Sequence, residues 1–224
     1  MLKAIVSWSG GKDGCLACYK AIEAGCQVVY LFNTISAEHG RVCFHGIEAA
    51  LIQRQAEALG IPLLQRATTD GGYEREFKET VGGVIPEGIE ALVFGDIYFE
   101  PHKEWTDRVS AELGLEGISP LWGYSPEEVF LEFLAAGFEA IVVSARADLM
   151  GEEWLGRKLD EDFLADLKRL EGVDVCGENG EYHTLVVDGP MFKRRLAIGA
   201  MRKVLREGRW LLDIREGDGS ERAG

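Results

Sequence analysis

Apolar runs and amphipathic stretches alternate through the first half of the chain. KAIVSW, at positions 3–8, is a short apolar run that stops at Ser and Gly, as a buried strand does. DGCLACYKAIEAG follows, with Leu16, Tyr19, Lys20 and Ile22 at helical spacing and Gly25 as a stop. QVVYLFNT is rich in β-branched and aromatic residues and predicts a second strand. GIEAALIQRQAEALG then predicts a helix closing at Gly60, and PLLQRAT a strand opened by Pro62. YEREFKETVGGV reads as a helix and IEALVFGD as another strand. In HKEWTDRVSAELG, Trp105, Val109 and Leu113 share one helical face. Strands alternating with helices predict an α/β fold, a parallel sheet with right-handed crossovers. Ligands of such sheets bind beyond the carboxyl ends of the strands. Three loops fall at those ends, 7–13, 33–34 and 95–97, and are expected to converge.

The pattern changes after SPLWGYSPEE, whose two prolines and two aromatics suit a domain joint. Ser125, Pro126 and Glu128 form a capping box with proline at the first helical position. FEAIVVSA predicts a strand, and DEDFLADLKRLEG a helix with Phe163, Leu164, Leu167 and Leu170 on one side. RRLAIGAMRKVL and RWLLDI read as strands about a turn at Glu207 and Gly208. The expected organisation is a first domain over 1–122 and a smaller α+β domain over 123–224.

A hydrophobic fraction of 46% in 224 residues allows a sizeable core. The formal net charge of −14 argues against a broad nucleic-acid surface. The basic clusters at 193–195 and 202–209 read as solvated faces. Five cysteines without compact spacing argue against a disulfide scaffold. The opening apolar run is too short for a signal peptide, so the expectation is a soluble, cytoplasmic chain. Cys15 and Cys18 form C-x-x-C, but they lie in the predicted helix without a second pair and read as core residues. His39 and His45 flank Cys43 in a stretch that reads as a loop over a ligand.

Chemistry concentrates in SWSGGKDG, positions 7–14. A strand, a glycine turn and a helix N-terminus make an anion site, because free backbone N–H groups and the helix dipole point outward together. Lys12 adds a positive charge, and Asp13 suits phosphate accompanied by Mg²⁺. The P-loop pattern fails, because position 6 is valine and position 13 is not Ser or Thr. The spacing of Gly10, Gly11 and Gly14 also fails the dinucleotide pattern.

SGGKDG in this context resembles the S-G-G-x-D-S pyrophosphate loop of the N-type ATP pyrophosphatases. GDIYFEPHKEW and GENGEYHTLVVDGPMF resemble the diphthine–ammonia ligase family, in its prokaryotic-type branch, and the resemblance runs along most of the chain. Two departures stand out: Gly14 replaces the usual loop serine, and Asn179 and His183 alter the glutamate-rich motif.

The resemblance implies a Rossmann-like fold of the adenine nucleotide alpha hydrolase-like (HUP) kind. It implies an enzyme that adenylates a carboxylate with ATP and Mg²⁺, releases AMP and pyrophosphate, and transfers ammonia. Ser7, Ser9, Gly10, Gly11 and Lys12 would then hold phosphates, and Asp13 the metal. Leu31, Phe32 and Asn33 would border the adenine on one side, with Gly95, Asp96 and Ile97 on the other. Glu178, Glu181 and His183 would face the acceptor, with Tyr182, Thr184, His45 and His102 as further substrate-side candidates. Trp105 is as well suited to a core anchor, and Tyr73, Glu74 and Glu76 read as a solvated helix surface. The implied partners are ammonium and elongation factor 2 bearing diphthine. Three alternatives stay open: another carboxylate acceptor, an RNA-modifying pyrophosphatase, and a nucleotide sensor without chemistry. Whether two copies pair as a homodimer also stays open.

Overall fold

The computed structural model describes residues 1–38, 40–42, 46–69 and 71–214, so the reading of Cys43 and of the flanking His39 and His45 lies outside the described residues. Five strands form the first sheet: β1 (Lys3–Ser7), β2 (Gln27–Ser36), β3 (Leu63–Thr68), β4 (Ala91–Val93) and β5 (Glu116–Ile118). Their order is β3-β2-β1-β4-β5, and every pairing is parallel. Helices α1 (Lys12–Glu23), α2 (Ala49–Leu59), α3 (Tyr73–Val84) and α4 (Glu100–Leu113) make the crossovers. The order reverses between β1 and β4, which opens a crevice at the carboxyl ends of those two strands.

Alternation along each strand divides the core into two faces. Ala4, Val6, Leu31, Ala91 and Val93 face α1 and α2. Ile5, Phe32 and Leu92 face the other way, onto Phe77, Val81 and Val109 of α3 and α4. That second face is aromatic: Phe77 meets Phe32, Phe94 and Trp105 with ring centroids 4.8, 6.3 and 5.3 Å apart.

The C-terminal part opens with α5 (Pro126–Ala135), and both bonds of the expected capping box are formed. Strands β6 (Glu139–Arg146), β7 (Tyr182–Asp188), β8 (Met201–Arg206) and β9 (Arg209–Ile214) form an antiparallel sheet in the order β7-β6-β9-β8. Helix α6 (Glu161–Leu167) starts on Asp160, whose carboxylate accepts from the Phe163 N–H at 2.7 Å, and stops sooner than its apolar pattern suggests. Glu207 and Gly208 both take positive φ, 47° and 75°, the geometry of a tight hairpin turn. The two parts share one core. Cys15, Leu16, Cys18 and Ala21 of α1 lie in the same cluster as Phe130, Phe133, Phe138, Val142 and Leu185.

Four details differ from the pattern reading. β2 runs on to Ser36, so Asn33 and Thr34 sit inside the strand rather than in a loop. β5 is a three-residue edge strand with too few apolar residues to show in a window. Residues 194–200 carry no strand, because only Leu196 among them is buried. Glu74 is no idle surface residue: it binds Arg108, Lys78 and the Trp105 indole N–H at 2.6, 2.5 and 2.9 Å. These cationic partners, Arg108 first, hold its carboxyl far below the ordinary range.

Candidate active site

The three segments expected to meet do converge, the second of them as part of β2. Ser7, Trp8, Ser9, Gly11, Asn33, Gly95 and Asp96 line one cavity of about 1250 Å³ at the crevice. Its far wall comes from the C-terminal part: Cys176, Glu178, Asn179, Gly180, His183 and Arg209. Phe32 borders it as expected, Tyr73 and Trp105 contribute aromatic faces, and His102 stands at the rim.

Loop 9–14 is built with bonds from the rest of the molecule. Gly11 is the N-cap of α1 and offers no side chain. The Lys12 N–H, left without an intrahelical partner, instead donates to the Thr184 hydroxyl at 3.0 Å, 172 residues away. The Val186 N–H donates to the Gly10 carbonyl at 2.9 Å. Gln55, fully buried, donates to the carbonyls of Gly10 (3.1 Å) and Val186 (2.7 Å) and accepts from the Trp8 indole at 2.8 Å. Gly10 takes φ +83°, and a Cβ there would stand 2.5 Å from Ile52 and 2.8 Å from Gln55. A Cβ on Gly95 would stand 2.8 Å from the backbone nitrogen of Gly14, so the loops after β1 and β4 touch backbone to backbone. Gly14, where the family pattern has serine, has room: its Cβ would meet nothing nearer than the Ser7 carbonyl at 3.4 Å.

Lys12 is 3% exposed, yet it borders the cavity. Its Nζ donates to Asp13 Oδ2 at 2.8 Å and to the Cys176 carbonyl, and lies 5.4 Å from the Tyr182 ring centroid. Burial is the largest influence and works against its charge, but Asp13, Cys176 and Tyr182 together outweigh it and hold the pKa above the ordinary lysine value. Burial in turn raises the Asp13 carboxyl against the pull of the Lys12 ammonium. Asp13 Oδ1 is buried with no hydrogen-bond partner among the described residues. A carboxylate oxygen left bare beside a phosphate-shaped loop fits a hard divalent cation. Among the described residues no group of three or more His, Cys, Asp or Glu forms a metal cage. A cation here would therefore take its other ligands from phosphate and water.

Glu178 and Glu181, three residues apart, do different things. Glu178 lines the cavity, and its Oε2 accepts from the Ile97 N–H at 3.4 Å. Burial, with the Asp13 charge added, pushes its carboxyl up to about 7. Glu181 does not face the cavity. It is 3% exposed and accepts from Asp174 N (3.1 Å), Asn179 N (3.0 Å) and Asn179 Nδ2 (3.0 Å), so it staples its own loop. Asp174, which no motif singled out, does likewise for Cys176 N (2.8 Å) and Glu178 N (3.2 Å). A short polar residue two to four positions before bare N–H groups was the available signal.

Of the other candidates, Leu31, Gly10 and Ile97 lie off the cavity lining, against expectation, whereas Asn33, His102, Tyr182 and Thr184 are on it, and Cys15 and Cys18 are core as read from the sequence. Leu31 is fully buried on the α1–α2 face, because strand alternation turns it from the cavity that Phe32 borders. Ile97 is core, and only its N–H is turned toward Glu178. Gly10 packs against α2 and β7 rather than against a ligand. Tyr182 is 1% exposed beneath the site, donating its hydroxyl to the Val175 carbonyl at 2.5 Å. Thr184 caps a helix. His102 Nδ1 lies 3.3 Å from Asp96, whose hydrogen bond raises the imidazole pKa. Asn33 donates to the Trp8 carbonyl at 2.8 Å and accepts from Gln65 at 3.0 Å, so it braces the cavity wall. Cys15 and Cys18 are buried free thiols, pushed above their ordinary range by burial.

A model of the diphthamide synthase N-terminal domain matches residues 2–117, and one of the C-terminal domain matches residues 125–218. The chain belongs to the diphthamide synthase family. It is an enzyme of the carbon–nitrogen ligase class. Among curated relatives, the diphthine–ammonia ligase of Danio rerio is 28% identical over 88% of this chain and 86% of its own length. That of Homo sapiens is 28% identical, with 88% and 83% covered. A solved structure described as a predicted subunit of a tRNA methyltransferase from Methanocaldococcus jannaschii overlays with a TM-score of 0.47 at 16% identity, covering 87% of this chain and 100% of that one. No helix among the described residues is long and apolar enough to cross a membrane.

Proposed function

We propose that this member of the diphthamide synthase family spends ATP to turn a carboxylate into an amide, with ammonium as nitrogen donor and the diphthine side chain of elongation factor 2 as acceptor. The observation that carries the reading is the meeting of loop 9–14 with Glu178, a carboxyl raised to about 7, in one cavity. An anion site alone would suit a sensor. A titratable carboxylate at working pH beside it suits a reaction that must remove a proton.

The acceptor carboxylate oxygen attacks the α-phosphorus of ATP, the bond to the β-phosphate breaks, and pyrophosphate leaves. Loop 9–14 holds the leaving pyrophosphate, with Ser9, Gly11 and the Lys12 charge at the cavity wall. Mg²⁺, when bound at Asp13, neutralises part of the phosphate charge. Glu178 takes the first proton from ammonium. The freed lone pair attacks the acyl carbon, and the carbon–oxygen bond to AMP breaks with its electron pair leaving on AMP. A second proton is lost as the amide forms. The Phe32 and Trp105 walls keep water from the adenylate. In this reading the chain works beside its elongation-factor substrate in the cytoplasm.

The test is AMP release from ATP and Mg²⁺, with and without ammonium and diphthine-bearing elongation factor 2. AMP that requires both supports the reading, and Lys12→Ala or Asp13→Ala should reduce it at least tenfold. AMP formed without the factor keeps the adenylation and moves the acceptor to another carboxylate. RNA-dependent AMP, or ATP binding with no AMP at all, overturns it.

A further inference from the structure

At the C-terminal wall of the cavity stand two arginines directly opposite each other across strands, Arg146 on β6 and Arg209 on β9. Like charges in that position repel, so the arrangement costs stability unless something offsets it. Arg146 has its counter-ion: Asp148 takes its Nε at 3.1 Å and Nη2 at 2.6 Å. Among the described residues Arg209 makes only neutral bonds, from Nε to the Ser144 hydroxyl (3.1 Å) and from Nη1 to the Gly180 carbonyl (2.9 Å). Its Nη2 is buried with no hydrogen-bond partner among them. Burial and the Arg146 charge both lower its pKa, and Asp148, already bonded to Arg146, offsets them only in part. The hairpin turn at 207–208 holds Arg209 in place, and the Ala147 N–H donates to the Gly208 carbonyl at 2.9 Å.

A guanidinium whose Nε and Nη1 are held by neutral acceptors, with Nη2 left bare, is suited to a carboxylate or phosphate oxygen at Nη2. We infer that Arg209, flanked by Arg146, binds the carboxylate of the acceptor and presents it to ATP. This rests on the amide-forming reading above. The phosphates have their own place at loop 9–14, whereas Arg209 is bonded to Gly180, in the loop that carries Glu178. A carboxylate held there sits beside the group that readies the ammonia. Apart from Lys12 in the phosphate loop, the other charged groups on the lining are Glu38, Asp13, Asp96 and Glu178, so an anionic acceptor is favoured at the arginine end.

The experiment follows the Arg209 Nε–H signal in the full chain by NMR, identified by its loss in Arg209→Gln, while succinate is added as the carboxylate probe. Succinate should shift the wild-type signal saturably, and by isothermal titration calorimetry it should bind Arg209→Gln at least tenfold more weakly than wild type and Arg209→Lys with intermediate affinity. ATP affinity should stay within twofold in both variants. Equal succinate binding by wild type and Arg209→Gln overturns the inference. So does a tenfold loss of ATP affinity, which would assign the guanidinium to phosphate. The same variants in the AMP assay separate the two claims. If the diphthine-bearing factor yields no AMP but succinate still shifts Arg209, the proposed acceptor falls and the subsite stands. If AMP forms with the KM for the factor unchanged in Arg209→Gln, the subsite falls and the proposed function stands.

Discussion

Loop 9–14 and loop 174–183 meet at the same cavity but are held in opposite ways. The first borrows its bonds: Thr184, Val186 and Gln55 satisfy groups that its own glycines and Lys12 leave bare. The second supplies its own, through Asp174 and Glu181 onto the N–H groups of residues within seven positions. A glycine loop must leave its backbone uncovered to meet a ligand, so its support has to come from outside. A loop that presents one carboxylate, Glu178, gains by freezing everything around it. The site is therefore a joint between two sheets, and the C-terminal sheet is part of the anion loop's structure as well as a wall.

The largest effect separates the two glutamates. Glu178→Gln should cut ammonia-dependent AMP and amide formation by about 10²–10⁴-fold, the range of a lost general base. In wild type that rate should rise with pH through about 7, and the inflection should vanish in the variant. The stability sign is the reverse of a salt-bridged carboxylate. The folded chain binds this proton more tightly than the unfolded one, so stability falls as pH rises from the ordinary glutamate value toward 7. Glu178→Gln should remove that slope in thermal unfolding from pH 4 to 8.

Glu181→Ala tests the staple. It strips a buried acceptor from two backbone N–H groups and one side-chain amide, and should cost about 2–4 kcal/mol by chemical denaturation. An undisturbed stability with lost ammonia dependence would return Glu181 to the acceptor's side. Gly95→Ala comes next, at about 1–3 kcal/mol, because its methyl meets the Gly14 backbone rather than a side chain that can move. Thr184→Val, which removes the borrowed cap, should cost about 1 kcal/mol and weaken ATP binding without changing the pH profile. Gly14→Ser should be the mildest, within about 0.5 kcal/mol, since its Cβ finds ordinary room; ATP titration would show whether the added hydroxyl tightens binding.

Much of this was legible along the chain. Alternating apolar runs and helical faces predicted β1 to β4 and α1 to α4, because each such element states its own period locally. The box at Ser125 and Glu128 marked the start of α5, since both of its partners lie within three residues. The loops after β1 and β4 were visible for the same reason: in a parallel sheet, topology alone sends them to one edge.

What the sequence by itself determined, then, is most of the elements of the parallel half, the family, and the pair of segments that carry the chemistry. Only the tertiary structure decided which residues of those segments face the ligand. Glu178 and Glu181 are the same residue type in one motif, and a loop's φ/ψ path, which no periodicity records, turns one into the cavity and the other inward. Gly10 and Gly11 look alike in sequence, yet one packs on α2 and the other lines the site. Arg209 stood in a run of basic residues that reads as solvent-facing. Its burial opposite Arg146 follows from pairing between strands some sixty positions apart, which no local pattern encodes.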